Sequence, residues 1–176
     1  VKKYELTSET KIYSGKTLYR IRALISFGAV SAGDNGGFIE KEQNLEQSGN
    51  ARVYGDARVY GNARVYGNAW VYGNARVYGN AWVYGDARVY GNALVYGNAW
   101  VYGGEHTKTI AIASRSDGYT FAAYMTDELR ITAGCRDFSW SEAVAHWDNH
   151  NHHKRAESMR IIKFLRAQVK AREKGA

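Results

Sequence analysis

The run that decides the fold is Asn50-Ala51-Arg52-Val53-Tyr54-Gly55, followed by Asp56-Ala57-Arg58-Val59-Tyr60-Gly61 and continued without a gap to Gly103. Nine consecutive hexads obey one pattern: Asn or Asp, then Ala, then Arg, Trp or Leu, then Val-Tyr-Gly. A helix cannot carry this period, because glycine costs about 1 kcal/mol at each helical position. Valine and tyrosine favour strands, while Gly-Asn and Gly-Asp favour tight turns. Each hexad is therefore a short strand and a corner. Side chains alternate across a strand, so Ala51 and Val53 share one face and Arg52 takes the other. Over the whole repeat, alanine and valine line a narrow interior and the Arg/Trp/Leu position faces out. Glycine takes the corner, where a left-handed backbone conformation costs it least.

With the pattern laid out, Val59-Tyr60-Gly61-Asn62-Ala63-Arg64 resembles the hexapeptide-repeat family. The resemblance implies a triangular left-handed parallel β-helix with three hexads per coil, commonly assembled as a homotrimer. Left-handed crossovers are an exception to the usual chirality of parallel connections. The departure is tyrosine where the family often has glycine or a small residue. Nine hexads make about three coils, a prism about 14 Å tall at about 4.8 Å per rung.

Three coils leave two raw ends, and an uncovered end invites strand addition and fibres. The flanks are thus expected to be caps: residues 1–49 an N-terminal β cap, residues 104–176 a C-terminal α+β cap, with 50–103 the β-helix between them. Upstream, Ile39 and Leu45 fall in phase with the alanine positions and are expected to seed an incomplete first rung. Residues 18–25 alternate like a strand that pairs with residues 4–13, and Gly33-Asp34-Asn35-Gly36-Gly37 reads as a turn. Downstream, 107–114, 119–125 and 129–133 read as strands, with Ser116-Asp117-Gly118 turning the first hairpin. Ser139-Trp140-Ser141-Glu142 has the form of a capping box opening a helix to about Trp147. A second helix over about 155–172 carries an apolar stripe of Ile161, Ile162, Leu165 and Val169.

The flanks also resemble a group of phage and prophage hexapeptide proteins, through Lys3-Tyr4-Glu5-Leu6-Thr7, Gly15–Leu24, Gly36-Gly37-Phe38-Ile39-Glu40 and Gly134-Cys135-Arg136. This implies a viral or prophage origin and more about architecture than about activity.

The net charge is +7. It is concentrated in residues 154–174, which hold eight Lys or Arg against two Glu. Such a segment either solvates a helix face or attracts phosphates, acidic proteins or anionic membranes. Cys135 is the only cysteine, so no internal disulfide and no oxidising compartment is implied. No apolar run approaches the ~20 residues of a membrane span, and the first residues lack a signal-peptide core. The expectation is a soluble, cytoplasmic protein with no membrane partner.

The outward columns carry the chemistry. In an 18-residue coil, Arg52, Trp70 and Arg88 stack on one face, Arg58, Arg76 and Leu94 on a second, and Arg64, Trp82 and Trp100 on a third. Arginine beside tryptophan suits a phosphate with a stacked base. The same residue types are enriched at subunit interfaces. Against an enzyme, no histidine lies within 50–103, and His106 is the only nearby candidate for the base that hexapeptide acyltransferases need. His146, His150, His152 and His153 have metal-like spacing in part, but sit in a polar connector, and neither a metal nor a cofactor is expected. Cys135 reads as a small buried hydrophobe. The function expected is therefore non-catalytic. A homo-oligomer of phage or prophage origin, trimeric by resemblance, binds and sequesters an anionic nucleotide-type molecule at an intersubunit surface built from Arg52, Trp70, Arg88, Arg64, Trp82 and Trp100. The basic tail assists, and counter-defence is the role. The alternatives are a structural or interaction module binding itself or an acidic host protein, and third an acyltransferase. Nucleic acid is a weaker partner.

Overall fold

The structure, a computed structural model, describes residues 1–102, 110–125, 128–134, 136–150 and 152–174. The chain opens with an antiparallel hairpin, β1 (Tyr4–Tyr13) and β2 (Lys16–Ala23), and β3 (Asn35–Ile39) runs antiparallel to β2. Each hexad then gives one short strand: β4 (Arg52–Val53), β5 (Arg58–Val59), β6 (Arg64–Val65), β7 (Trp70–Val71), β8 (Arg76–Val77), β9 (Trp82–Tyr84), β10 (Arg88–Val89), β11 (Leu94–Val95) and β12 (Trp100–Tyr102). They stack in parallel as β4-β7-β10, β5-β8-β11 and β6-β9-β12, giving a three-sided solenoid. These sides are called faces one, two and three.

Interior and corners follow from the hexad. Every alanine and valine of the repeat is at most 2% exposed. Successive turns are joined by backbone bonds such as Arg52 N–H to Ala69 O at 2.9 Å and Tyr54 N–H to Val71 O at 3.0 Å. The corner glycines from Gly55 to Gly97 all have φ between +62° and +72°. Outside them, Asn50, Asn68 and Asp86 form a side-chain chain, with amide-to-oxygen distances of 3.3 and 3.0 Å.

The solenoid has about 4 turns rather than three, because a partial turn precedes the repeat. Ile39 pairs with Val59 and Leu45 with Val65. Both therefore continue the valine column, two residues out of phase with the alanine positions expected for them. Gly37 takes the alanine-like place, where a Cβ would lie 2.7 Å from Ala57 O and 2.8 Å from Val53 Cγ1. The glycine-rich stretch expected to turn does so only to Asp34; Asn35–Gly37 already belong to β3.

Side chains complete this first turn. The buried Asn44 amide donates to Gly61 O at 3.1 Å and Ala63 O at 2.9 Å. Glu40 and Glu46 stand where later turns carry tyrosine, and their carboxylates accept the Gly61 and Gly67 N–H groups at 2.6 and 2.9 Å. The Lys3 ammonium donates to Ala51 O at 2.9 Å and Ser48 O at 3.1 Å. Most of the exposed backbone edge on faces two and three is thus satisfied without a further strand, which weakens the template for fibre growth.

At the other end lies an antiparallel sheet of β13 (Ile110–Ser114), β14 (Thr120–Met125), β15 (Leu129–Ala133) and β16 (Arg136–Ser139). Ile112, Ala122 and Tyr124 join the solenoid core. The opposite side of the sheet, with Phe121, Ala123 and Ile131, packs on α1 (Trp140–Trp147) and α2 (Arg155–Lys174). The sheet is a lid between solenoid and helices. Ser139 caps α1 as its sequence predicts, accepting Glu142 N–H while the Glu142 carboxylate accepts Ser139 N–H. Ile162, Leu165 and Val169 are the buried stripe of α2. The β16 strand has no counterpart in the sequence reading.

Candidate ligand-binding surface

Face one gathers its three predicted residues into one column. Parallel pairing puts Arg52 against Trp70 and Trp70 against Arg88. The guanidinium carbons lie 3.4 Å (Arg52) and 4.3 Å (Arg88) from the indole centroid. Because β7 runs between β4 and β10, the two cations cover opposite sides of the indole. Both stacking surfaces of Trp70 are therefore occupied, and what the column offers a ligand is guanidinium edges. A groove of about 250 Å³ runs along it, lined by Arg52, Trp70, Arg88, the corner residues Asn50, Asn68 and Asp86, and Gly28 and Ala29 of the loop after β2. Asp86 brings one carboxylate to the rim, where it accepts the Asn68 amide.

Arg52 stands out on this face, although Arg58 on face two shares its buried, unpartnered Nε. Among the described residues Arg52 has no ion pair, and its Nε is buried without a hydrogen-bond partner. Burial lowers its pKa; repulsion from Arg88 adds to this and the Tyr54 phenol opposes it. An arginine remains charged regardless.

Face three gathers the second predicted set. Trp82 and Trp100 stack with centroids 5.1 Å apart at 3°. Arg64, which is exposed, stands 6.0 Å above Trp82. Tyr66 meets the edge of Trp82, and Tyr66 stacks on Tyr84 at 5.0 Å. An open groove of about 560 Å³ lies above, lined by Arg64, Tyr66, Trp82, Leu45, Glu42 and Glu46 among others. The two predicted sets lie on different sides of the solenoid, so one protomer does not unite them.

Face two is partly covered by the chain itself. Tyr13 at the end of β1 covers Arg58 and Arg76, with guanidinium-to-centroid distances of 4.6 and 5.8 Å, and its hydroxyl oxygen accepts from Arg76. Lys11 pairs with Asp56 at 2.6 Å, and Leu18, Phe38 and Tyr60 form a small buried cluster beneath. The β1–β2 hairpin is both end cap and side cover, a role the alternation of residues 4–23 does not reveal.

The remaining candidates are separated from these grooves. α2 lies across the lid sheet from the solenoid, so the basic segment does not reach face one. Its Lys154 and Glu157 engage Ser116, leaving Arg160, Lys163 and Lys170 exposed around Phe164. His146 stacks on Phe138 at 5.1 Å and meets the His152 ring at 5.2 Å. Burial, with Arg136 and His152 nearby, lowers its pKa. Among the described residues no group of three or more His, Cys, Asp or Glu could hold a metal, and no helix is long and apolar enough to cross a membrane. His106 and Cys135 lie outside the described residues.

A family model described as the YdcK Beta solenoid repeat matches residues 57–73, 69–85 and 87–103. All three segments fall inside the hexads, so the likeness concerns the solenoid and not its flanks. No curated protein matches the chain significantly. Sequence likeness and structure agree on a repeat β-solenoid protein.

Proposed function

We propose that this protein is a non-catalytic binder that captures an anionic, nucleotide-type small molecule on the arginine–aromatic faces of its solenoid. The observation that carries this reading is Arg52, a stacked guanidinium with a buried, unpartnered Nε at the rim of a groove. Arg52 and Arg88 are held against Trp70 at 3.4 and 4.3 Å, so they are positioned before a phosphate arrives and less side-chain entropy is lost on binding. Since face two is partly covered, faces one and three are the freer ones to assemble. An oligomer, trimeric on the family resemblance, that sets face one of one protomer against face three of the next brings Arg64, Trp82 and Trp100 to the same cleft as Arg52 and Arg88. A base then stacks on face three, where Trp82 and Trp100 form a continuous aromatic column. In a phage or prophage setting, such a protein sequesters a host signal nucleotide.

Calorimetric titration with ADP, ADP-ribose and a cyclic dinucleotide tests this. Binding is expected to weaken at least about tenfold in Arg52→Gln. Absence of heat with every anion at micromolar protein, in a sample of defined oligomeric mass, overturns it. A second reading, a structural module that binds copies of itself or an acidic protein, is favoured by the mutually stacked tyrosines (Tyr54–Tyr72 and Tyr72–Tyr90, each 4.9 Å), which need no ligand to be ordered. Open-ended polymers in light scattering, unaffected by nucleotide, would support it instead.

A further inference from the structure

The partial first turn is uneven. Over β5 the chain lays Ile39, and over β6 it lays Leu45, each extending the valine column. Over β4 it lays no such residue. The chain leaves at Ala23, forms the loop through Ser26–Asp34, and returns at Gly36, whose Cβ would lie 2.7 Å from Val53 O. On face one that place is only partly filled, by Ile21 and Tyr4 of the hairpin, and space remains between them and the loop.

A cavity of about 320 Å³ occupies that place. Its walls are mixed, with Ile21, Phe27, Val30, Leu45 and Val53 supplying the apolar part, and this size falls within the ordinary range of small-molecule sites, about 300–1,000 Å³. The polar groups around it are mostly committed. The Tyr4 hydroxyl is bound to Leu45 O at 2.7 Å and Glu42 O at 2.9 Å. Asp34, exposed at the rim, accepts Ser31 N–H at 2.8 Å. Arg52 is the cation of the lining, and its buried Nε–H has no acceptor.

We infer that this cavity is a second ligand site, which takes a small amphipathic monocarboxylate whose apolar body lies against Ile21, Phe27 and Val30 and whose carboxylate pairs with the Arg52 guanidinium. A single carboxylate matches the charge better than a phosphate. The lining has one guanidinium and, in Asp34, one opposing carboxylate, so a dianion leaves charge uncompensated in a partly apolar space. The site is distinct from the face-one groove, with which it shares only Arg52 and Ala29.

The test titrates the full chain with 4-phenylbutyrate and with uncharged 4-phenylbutanamide. Saturable binding of the acid is expected, at least about tenfold tighter than the amide, and weakened by a similar factor in Arg52→Gln. In the unaltered protein, methyl NMR signals of Ile21, Leu45 and Val53 shift with the acid. Val30→Trp fills the cavity and is expected to abolish acid binding while leaving ADP binding intact. Equal affinity for acid and amide, undisturbed methyls, or acid binding that survives Val30→Trp overturns the inference. ADP binding without carboxylate binding refutes this site alone, and the converse refutes the groove alone.

Discussion

Alanine substitution of corner glycines separates two costs that the solenoid imposes at the same atom. Gly15 and Gly79 share φ +72°, so an alanine at either incurs the same left-handed strain, about 1–2 kcal/mol. Their surroundings differ. A Cβ at Gly15 meets nothing within 4 Å, whereas at Gly79 it would sit 2.9 Å from Gly97 N and 3.1 Å from Gly97 O. Those atoms are backbone of the next turn and cannot swing aside, so the turns must part locally, at a further cost of about 1–3 kcal/mol. Gly55 and Gly73 are intermediate, with nearest atoms of the next turn at 3.4 and 3.1 Å. The expected order of destabilisation is Gly15→Ala and Gly55→Ala at about 1–2 kcal/mol, then Gly73→Ala, then Gly79→Ala at about 2–5 kcal/mol. Urea unfolding measures this through the midpoint at unchanged slope. If Gly79→Ala loses no more than Gly15→Ala, the stacked corners are not in the contact described and the reasoning fails.

Three further outcomes are expected. Burial lowers the Lys3 pKa to about 8 from the ordinary 10.5, opposed by Glu46. Below pH 8 both states hold the proton and the desolvation cost is fully present; above it the unfolded chain binds more protons, so stability rises towards pH 10. Thermal melts of the unaltered chain against Lys3→Met show that rise only in the former; parallel slopes would contradict it. Asn44→Ala strands Gly61 O and Ala63 O at the open end and costs about 2–3 kcal/mol in urea unfolding; a loss under half of that places the acceptors in contact with solvent. Ala75→Leu adds three carbons to a position with no exposure and destabilises by about 1–3 kcal/mol or more, with a far-UV spectrum that keeps its strand signature; an unchanged midpoint means the interior has room the structure does not show.

The solenoid was legible because its three requirements repeat with one period. Val53 and Ala51 need burial, Gly55 needs positive φ, and strand alternation leaves Arg52 outside, so each hexad confirms the last. The three columns followed from the coil length alone. The partial turn was misphased because Ile39 and Leu45 sit 20 residues, not 18, before their partners Val59 and Val65. The usable signal was local: Gly37-Phe38-Ile39-Glu40 keeps the small–bulky–aliphatic order of Ala-Arg-Val, whereas Gln43-Asn44-Leu45-Glu46 breaks it with an exposed Gln43 and a buried Asn44. The sandwich at Trp70 was hidden for a different reason. A column assignment says that Arg52, Trp70 and Arg88 are neighbours, but not that the guanidinium carbons sit 3.4 and 4.3 Å from the indole centroid and occupy the surface a base would use. Nor does a pattern of residues 4–23 say which side of a later coil Tyr13 will cover.

The interchangeable hexads have a consequence for how this chain finds its register. A strand slipped by one full turn meets the same alanine, valine and glycine, so the interior and the corners do not distinguish correct from shifted winding; only outward columns such as Arg52–Trp70–Arg88 change partners. The distinction is made where the sameness stops, at Asn44, Glu40 and Lys3 upstream and at the β11–β13 junction downstream. The termini therefore act as the zero marks of a ruler whose graduations are otherwise blank, and insertion or loss of 18 residues between them changes the length of the ruler without altering either mark.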